Sequence, residues 1–312
     1  MADPAVAAGG LTKRFAGTLA VDRLGFTAAT GEVFGLVGPD GAGKTTTLRM
    51  LAGVMTPDAG SATVAGHDVV RDPEAVKSRI SYMPQGFGLY EDLTVDENIR
   101  FYADVFGVAR AARDERAERL LAASGMARFR DRLAGQLSGG MKKKLGLTCA
   151  LIHTPRVLLL DEPTTGVDPV SRRDFWRILY DLVAEGVTVV VSTAYLDEAE
   201  RCHHLALLHE GRLLHCDTPA RLKAGMPGAV VRVTSPAPDA VRDALRQAPG
   251  VTSALVVGDG VHLVVDDAAR RVPEVRARLA AAAVPCAEVA AVAPTFEDVF
   301  VAAVATSGEA GP

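Results

Sequence analysis

"EVFGLVGPDGAGKTTTLRMLAG", residues 32–53, carries the pattern from which the rest of the chain can be read. A strand-like apolar run, "EVFGLVG" (32–38), leads into "GPDGAGKT" (38–45), which fits G-x-x-x-x-G-K-[ST], and a helical stretch follows. In that order Gly41 and Gly43 let the backbone curl so that successive N–H groups aim at phosphate oxygens. The helix N-terminus adds its partial positive charge. Lys44 is placed for the β and γ phosphates, and the Thr45 hydroxyl for Mg²⁺. Gly38, Pro39, Asp40, Gly41, Ala42, Gly43, Lys44, Thr45 and Thr46 are the resulting candidates for holding a nucleoside triphosphate.

"RVLLLDEPTTGVDP" (156–169) supplies a second half. Its apolar run puts Asp161 at the C-terminal end of a buried strand, where open α/β sheets bind ligands. Asp161 can hold Mg²⁺ through water, and Glu162 can polarise an attacking water. "VTVVVST" (187–193) reads as a third buried strand. Strands and amphipathic helices alternate from about residue 5 to 220, which predicts an α/β domain with a largely parallel sheet. Strand patterning lapses over about 86–155, where stretches such as "ARDERAERLLAASG" predict an inserted helical subdomain. "HEGRLLHC" (209–216) reads as a hairpin, and "PARLKAG" as the helix that closes a first domain spanning 5–225. A second domain, 228–304, has the predicted order strand 229–234, helix 238–248, strands 251–257 and 260–266, helix 270–283, strand 285–291. That βαββαβ order resembles a ferredoxin-like α+β sandwich. Residues 305–312 read as a flexible tail.

Acidic residues outnumber basic ones by 38 to 34, for a net charge of -4, which gives no electrostatic footprint for nucleic acid. No nucleic-acid partner is expected. The scattered cysteines Cys149, Cys202, Cys216 and Cys286 form no C-x-x-C pair, as in a reduced cytoplasmic protein. "MADPAVAAGG" lacks the marks of a secretory leader, and no window reaches the roughly 18 apolar residues of a spanning helix. The chain reads as soluble by itself.

"LSGGMKKKLGL" (137–147) resembles the signature sequence of ATP-binding cassette (ABC) ATPases, and other stretches fall into register with that family. Phe15 in "LTKRF" matches the aromatic on which adenine stacks. Gln85 in "YMPQGFGLYEDLTVDENI" matches the Q-loop glutamine, which implies roles at Mg²⁺ and in catalysis beside Glu162 and Lys44. Asp168 matches the D-loop aspartate. The resemblance implies a P-loop fold of the ABC type, ATP and Mg²⁺ as cofactors, and a head-to-tail pair of cassettes. In such a pair Ser138, Gly139 and Gly140 of one chain cap the γ-phosphate held by the other. Lys142, Lys143 and Lys144 are read as a solvated face outside the site. "APTFEDVFVAAV" (293–304) resembles the ending of ATPase subunits of ABC-2-type exporters, including daunorubicin-resistance ATPases. Several motifs look like the first cassette of tandem-cassette exporter ATPases. The implied partners are integral-membrane ABC-2-type permease subunits and a second cassette, and the implied location is the inner face of the cell membrane. The implied coupling surface is roughly 85–100, with Tyr90 and Leu93 as its probes.

"STAYLDEAE" (192–200) departs from the family at one position. Ala194 stands where the family usually has the switch histidine that contacts the γ-phosphate, and it offers no donor or acceptor. His203 and His204 are read as capping or solvating the end of the acidic helix that follows, not as replacements. Three readings stay open: pairing with a cassette that keeps its histidine, slow turnover by a homodimer through Glu162, or ATP binding without useful turnover. Rival classes are ABC proteins acting on ribosomes or DNA, whose charged linkers and long coiled coils are missing here, and a non-hydrolysing regulatory cassette.

Overall fold

The structure, a computed structural model, describes residues 3–86 and 88–309. The chain divides into two compact units, 1–216 and 217–312.

In the first unit β1 (Val6–Phe15), β2 (Thr18–Ala28), β4 (Ala59–Val64) and β5 (His67–Asp68) form an antiparallel sheet in the order β2-β1-β4-β5. A second sheet comprises β3 (Val33–Val37), β6 (Ile80–Met83), β7 (Val157–Asp161), β8 (Thr188–Thr193), β9 (His204–His209) and β10 (Arg212–Asp217). Its order is β10-β9-β3-β8-β7-β6, and the pairings from β9 through β6 are parallel. The sequence reading anticipates this parallel sheet and misses the antiparallel one. Ala16 and Gly17 both have positive φ (43° and 88°), the backbone of a two-residue hairpin that leaves Phe15 at the tip of β1.

Among the described residues the α-helices of this unit are α1 (Lys44–Leu51), α2 (Pro73–Lys77), α3 (Val95–Val105), α4 (Arg110–Ser124), α5 (Gly139–Leu151) and α6 (Pro169–Ala184). Between β6 and β7 the chain is helical, with α3, α4 and α5. Helix α1 buries Leu48, Met50 and Leu51 completely in a core shared with Leu24, Phe26, Phe34 and Leu208. At about 1.5–3 kcal/mol for each such side chain, this packing fixes the helix and the loop before it. The acidic segment after β8 is a 3₁₀ helix (Leu196–Arg201), not an α-helix.

The second unit opens with α7 (Pro219–Ala224), which the sequence reading assigns to the first domain. Lys223 lies over the Phe296 ring at 5.6 Å and ties α7 to this unit. Then come β11 (Ala229–Thr234), α8 (Pro238–Leu245), β12 (Val251–Val257), β13 (Gly260–Val265), α9 (Ala268–Ala281), β14 (Glu288–Val292) and α10 (Phe296–Glu309). The antiparallel order β12-β13-β11-β14 is the ferredoxin-like arrangement. The Asp298 carboxylate accepts from the Thr295 N–H and hydroxyl, both at 2.8 Å, and faces buried His262 at 3.0 Å, pinning α10 to β13. Helix α10 continues through 305–309, where a flexible tail is expected; residues 310–312 lie outside the described residues. Among the described residues no helix is long and apolar enough to cross a membrane.

Candidate functional site

Three adjacent parallel strands build the site. In register, Val37 of β3 lies opposite Thr193 of β8, and Ser192 of β8 opposite Asp161 of β7. The phosphate loop, the 161–162 carboxylates and the residue after Thr193 therefore leave one sheet edge side by side, at its C-terminal end.

Gly41 and Gly43 have φ of +80° and +92°, so the loop curls as its sequence requires. No side chain caps α1 at Gly43, whereas Ser138 caps α5 and Asp168 caps α6. The first amides of α1 thus face the loop without a side-chain acceptor. A cleft of about 390 Å³ opens here, lined by Phe15, Ala20, Asp40 to Thr46, Gln85 and Glu162. Phe15 is 44% exposed at its mouth, with the Lys13 ammonium 5.8 Å from its ring centroid.

Lys44 is buried at the floor of the cleft. Its ammonium donates to the carbonyls of Gly38 (2.8 Å) and Pro39 (3.0 Å) and pairs with the Glu162 carboxylate at 3.1 Å. Gly38 and Pro39 therefore act through Lys44. Glu162 also accepts from Gln85 Nε2 and from the Thr165 hydroxyl, each at 3.3 Å. Its backbone lies in the left-handed region (φ 47°), held by its N–H to the Ser192 carbonyl (3.2 Å) and hydroxyl (3.0 Å). Such strain in a non-glycine residue concentrates at functional positions.

Asp161 is 2% exposed. It accepts from the hydroxyls of Thr45 (2.9 Å), Ser192 (2.8 Å) and Tyr82 (3.3 Å). Burial first, and then the Asp161 charge, push the Tyr82 phenol above its usual pKa. Ser192 and Tyr82 are missed by the sequence reading, although Ser192 follows a visible β-branched run. A hydroxyl and a carboxylate converging beside the phosphate loop are the hard oxygen donors that Mg²⁺ takes, so the residues fit that ion.

Ser138, Gly139, Gly140, Asp168 and Ala194 are not among the described residues lining the cleft. The Ser138 hydroxyl accepts from the Met141 N–H (3.3 Å), and Asp168 from those of Val170 (3.1 Å) and Ser171 (2.9 Å). The Ser171 amide, foremost, holds the Asp168 carboxyl below the usual range. Gly140 is where α5 meets α6: a Cβ there would lie 2.8 Å from the Ser171 hydroxyl.

Two further expectations are corrected. His203 Nδ1 accepts from the Val33 N–H (3.0 Å), and His204 Nδ1 lies 2.7 Å from Glu32. Both thus brace the N-terminal end of β3, the opposite edge of the sheet from the cleft. The three lysines of α5 are also engaged: Lys142 with Glu91 (2.6 Å), Lys143 with the Gln85 carbonyl (2.6 Å), and Lys144 with Asp174 (3.0 Å). A missed residue, Glu198, is fully buried and accepts from Thr164 (2.8 Å), Trp176 (3.1 Å) and Thr193 (2.8 Å). It ties the segment after Glu162 to the one before Ala194.

A family profile described as ABC transporter matches residues 21–165. The chain is 45% identical over 306 residues to the probable multidrug ABC transporter ATP-binding protein YbhF of Escherichia coli (strain K12), covering 96% of this chain and 52% of that protein. It thus spans about half the length of that relative. Identity is 41% over 250 residues to the Nod factor export ATP-binding protein I of Paraburkholderia xenovorans (strain LB400), covering 80% of this chain and 82% of that one. It is 42% over 230 residues to the daunorubicin/doxorubicin resistance ATP-binding protein DrrA of Streptomyces peucetius, covering 73% and 70%. Among solved structures, an ATP-binding subunit of an ABC transporter superposes with a TM-score of 0.64 at 29% identity, over 70% of this chain and 92% of that one. A cassette from Clostridium perfringens, part of the CbiONQ transporter complex, matches in fold with a TM-score of 0.66 at 24% identity, over 72% and 92%.

Proposed function

Because the chain belongs to the ABC transporter family, among its ATP-binding proteins, we propose that it is the ATP-hydrolysing subunit of an ABC-2-type exporter. The observation that carries this reading is the meeting of Lys44, Glu162 and Gln85 in one cleft whose mouth is formed by Phe15. Phe15 offers a stacking face for adenine, and the loop amides with Lys44 take the phosphates. A phosphate that draws the Lys44 ammonium competes with Glu162 for it, which frees the carboxylate to accept a proton from water. Binding the right group and arming the base are thereby one event. Thr45 and Asp161, with Gln85 beside them, would hold Mg²⁺, which supplies charge stabilisation to the phosphates when bound.

Ser138, Gly139, Gly140 and Asp168 lie outside this chain's own cleft, which supports a head-to-tail pair in which they serve the partner cassette. A second reading, a degenerate or regulatory cassette paired with a competent one, is favoured by Ala194. The relatives are named for multidrug, Nod factor and daunorubicin/doxorubicin systems. We assign substrate choice to the membrane subunits and place this chain peripherally on the cytoplasmic face.

The docking surface for those subunits lies around α3. Tyr90 is 46% exposed and packs edge-on against exposed Phe101 (4.6 Å between centroids). Beside them a 220 Å³ groove runs between Val54, Tyr82, Tyr102, Phe106 and Ala150. Leu93 is a poorer probe, because it is half-buried where Tyr90 is exposed. Tyr90→Glu is therefore the test. We expect at least ~10-fold less co-purification with the membrane subunits, the loss of one interface anchor, with binding of a fluorescent ATP analogue unchanged. Undiminished co-purification would remove this surface from the reading.

A further inference from the structure

We propose that Lys143 is a positioning residue for hydrolysis, holding the Gln85 turn and through it Glu162 in register with the helix that Ser138 caps. The proposal rests on the ATPase reading above. Its basis is an unbroken line of contacts from α5 to the phosphate loop. Lys143 Nζ donates to the Gln85 carbonyl (2.6 Å), Gln85 Nε2 donates to Glu162 (3.3 Å), and Glu162 pairs with Lys44 (3.1 Å).

Successive helical residues point about 100° apart, so only one of three consecutive lysines can face the cleft. Lys142 and Lys144 turn to the carboxylates of Glu91 and Asp174. Lys143, half-buried, turns to the Gln85 loop instead. Burial pulls its ammonium below the usual lysine range, and the Asp161 and Glu162 carboxylates work against that shift. Its charge thus lies within electrostatic reach of both carboxylates of the cleft. Gln85 is exposed, on a loop beyond the end of β6. A carbonyl on such a loop gains a fixed place from a helix-borne ammonium, a charge-assisted bond. Any movement of α5 is passed to Gln85, and so to the base.

The test compares Lys143→Met and Lys143→Arg in the full chain, alone and assembled with its membrane subunits and cassette partner. Amide exchange across 84–93 and ATP turnover are both followed. In Lys143→Met, exchange over 84–93 rises ~10-fold, as for loss of one charge-assisted bond. kcat falls ~10-fold while KM for ATP stays within ~3-fold. Lys143→Arg, which keeps the donor and the charge, restores both to within ~3-fold of wild type. Unchanged exchange in Lys143→Met overturns the proposal, as does raised exchange with unaltered kcat. An arginine variant as impaired as the methionine one, with an equally lowered melting temperature, marks a purely structural lysine and also overturns it. A wild-type chain that neither binds nor hydrolyses ATP overturns the ATPase reading and the catalytic half of this proposal. The exchange result is independent of nucleotide and shows which of the two has failed.

Discussion

Glu162→Gln lowers Mg-ATP turnover by ~10²- to 10⁴-fold, the range for loss of a positioned general base, and leaves ATP affinity nearly unchanged. The amide matches the carboxylate in shape, and the strained backbone at this position (φ 47°) stays anchored to Ser192 through the N–H. What disappears is the capacity to take a proton and the charge opposite Lys44. Lys44 keeps its carbonyl acceptors at Gly38 and Pro39, so the phosphate-binding loop retains its form. Phosphate release by the assembled complex measures the first effect, and binding of a fluorescent ATP analogue the second. An unchanged rate would show that hydrolysis occurs in the partner cassette's cleft, and the degenerate-cassette reading would take over.

The difference between what the sequence told and what it withheld is one of distance along the chain. The phosphate loop was legible because its parts are contiguous: an apolar strand, a glycine-rich turn and a helix within 32–53. Asp161 and Glu162 were legible because an unbroken apolar run must end somewhere, and polar residues at that end face the ligand edge. The ferredoxin-like unit is legible from its element order, strand, helix, strand, strand, helix, strand along 229–291. Glu198 was not, because a glutamate on an acidic stretch reads as solvated until Thr164, Trp176 and Thr193 are seen to converge on it. Lys143 and Asn98 were hidden for the same reason. Each acts on a loop that is remote in sequence or folded back on itself, and side-chain type cannot reveal such a contact. The antiparallel sheet escaped because β1 and β2 lie on either side of a short hairpin that alternation does not distinguish from other connections.

Ala194→His raises ATP turnover by at least ~10-fold and up to ~10²-fold, the scale on which one preorganised donor to developing charge acts. Residue 194 directly follows Thr193, which lies opposite Val37 in the sheet and whose carbonyl accepts from the Gly38 N–H at 3.3 Å. The substituted side chain therefore begins beside the start of the phosphate loop. Its backbone surroundings are fixed: the Thr193 hydroxyl donates to Glu198 (2.8 Å) and accepts from the Tyr195 N–H (3.0 Å). A histidine there meets a prebuilt frame at a half-buried position. Imidazole brings an N–H donor and a titratable nitrogen where a methyl has neither. The comparison is made on the full chain alone and again with its membrane subunits and any neighbouring cassette. A rise in the isolated chain shows that its own cleft was limited by the missing donor, and makes a complementary, histidine-bearing cassette the expected partner. No rise, from a wild type that already turns over and that Glu162→Gln silences, shows that the Lys44–Glu162–Gln85 cluster suffices without a switch residue. That outcome would make the chain a self-sufficient exporter motor, in which the sensing of the γ-phosphate falls to Lys44 releasing Glu162.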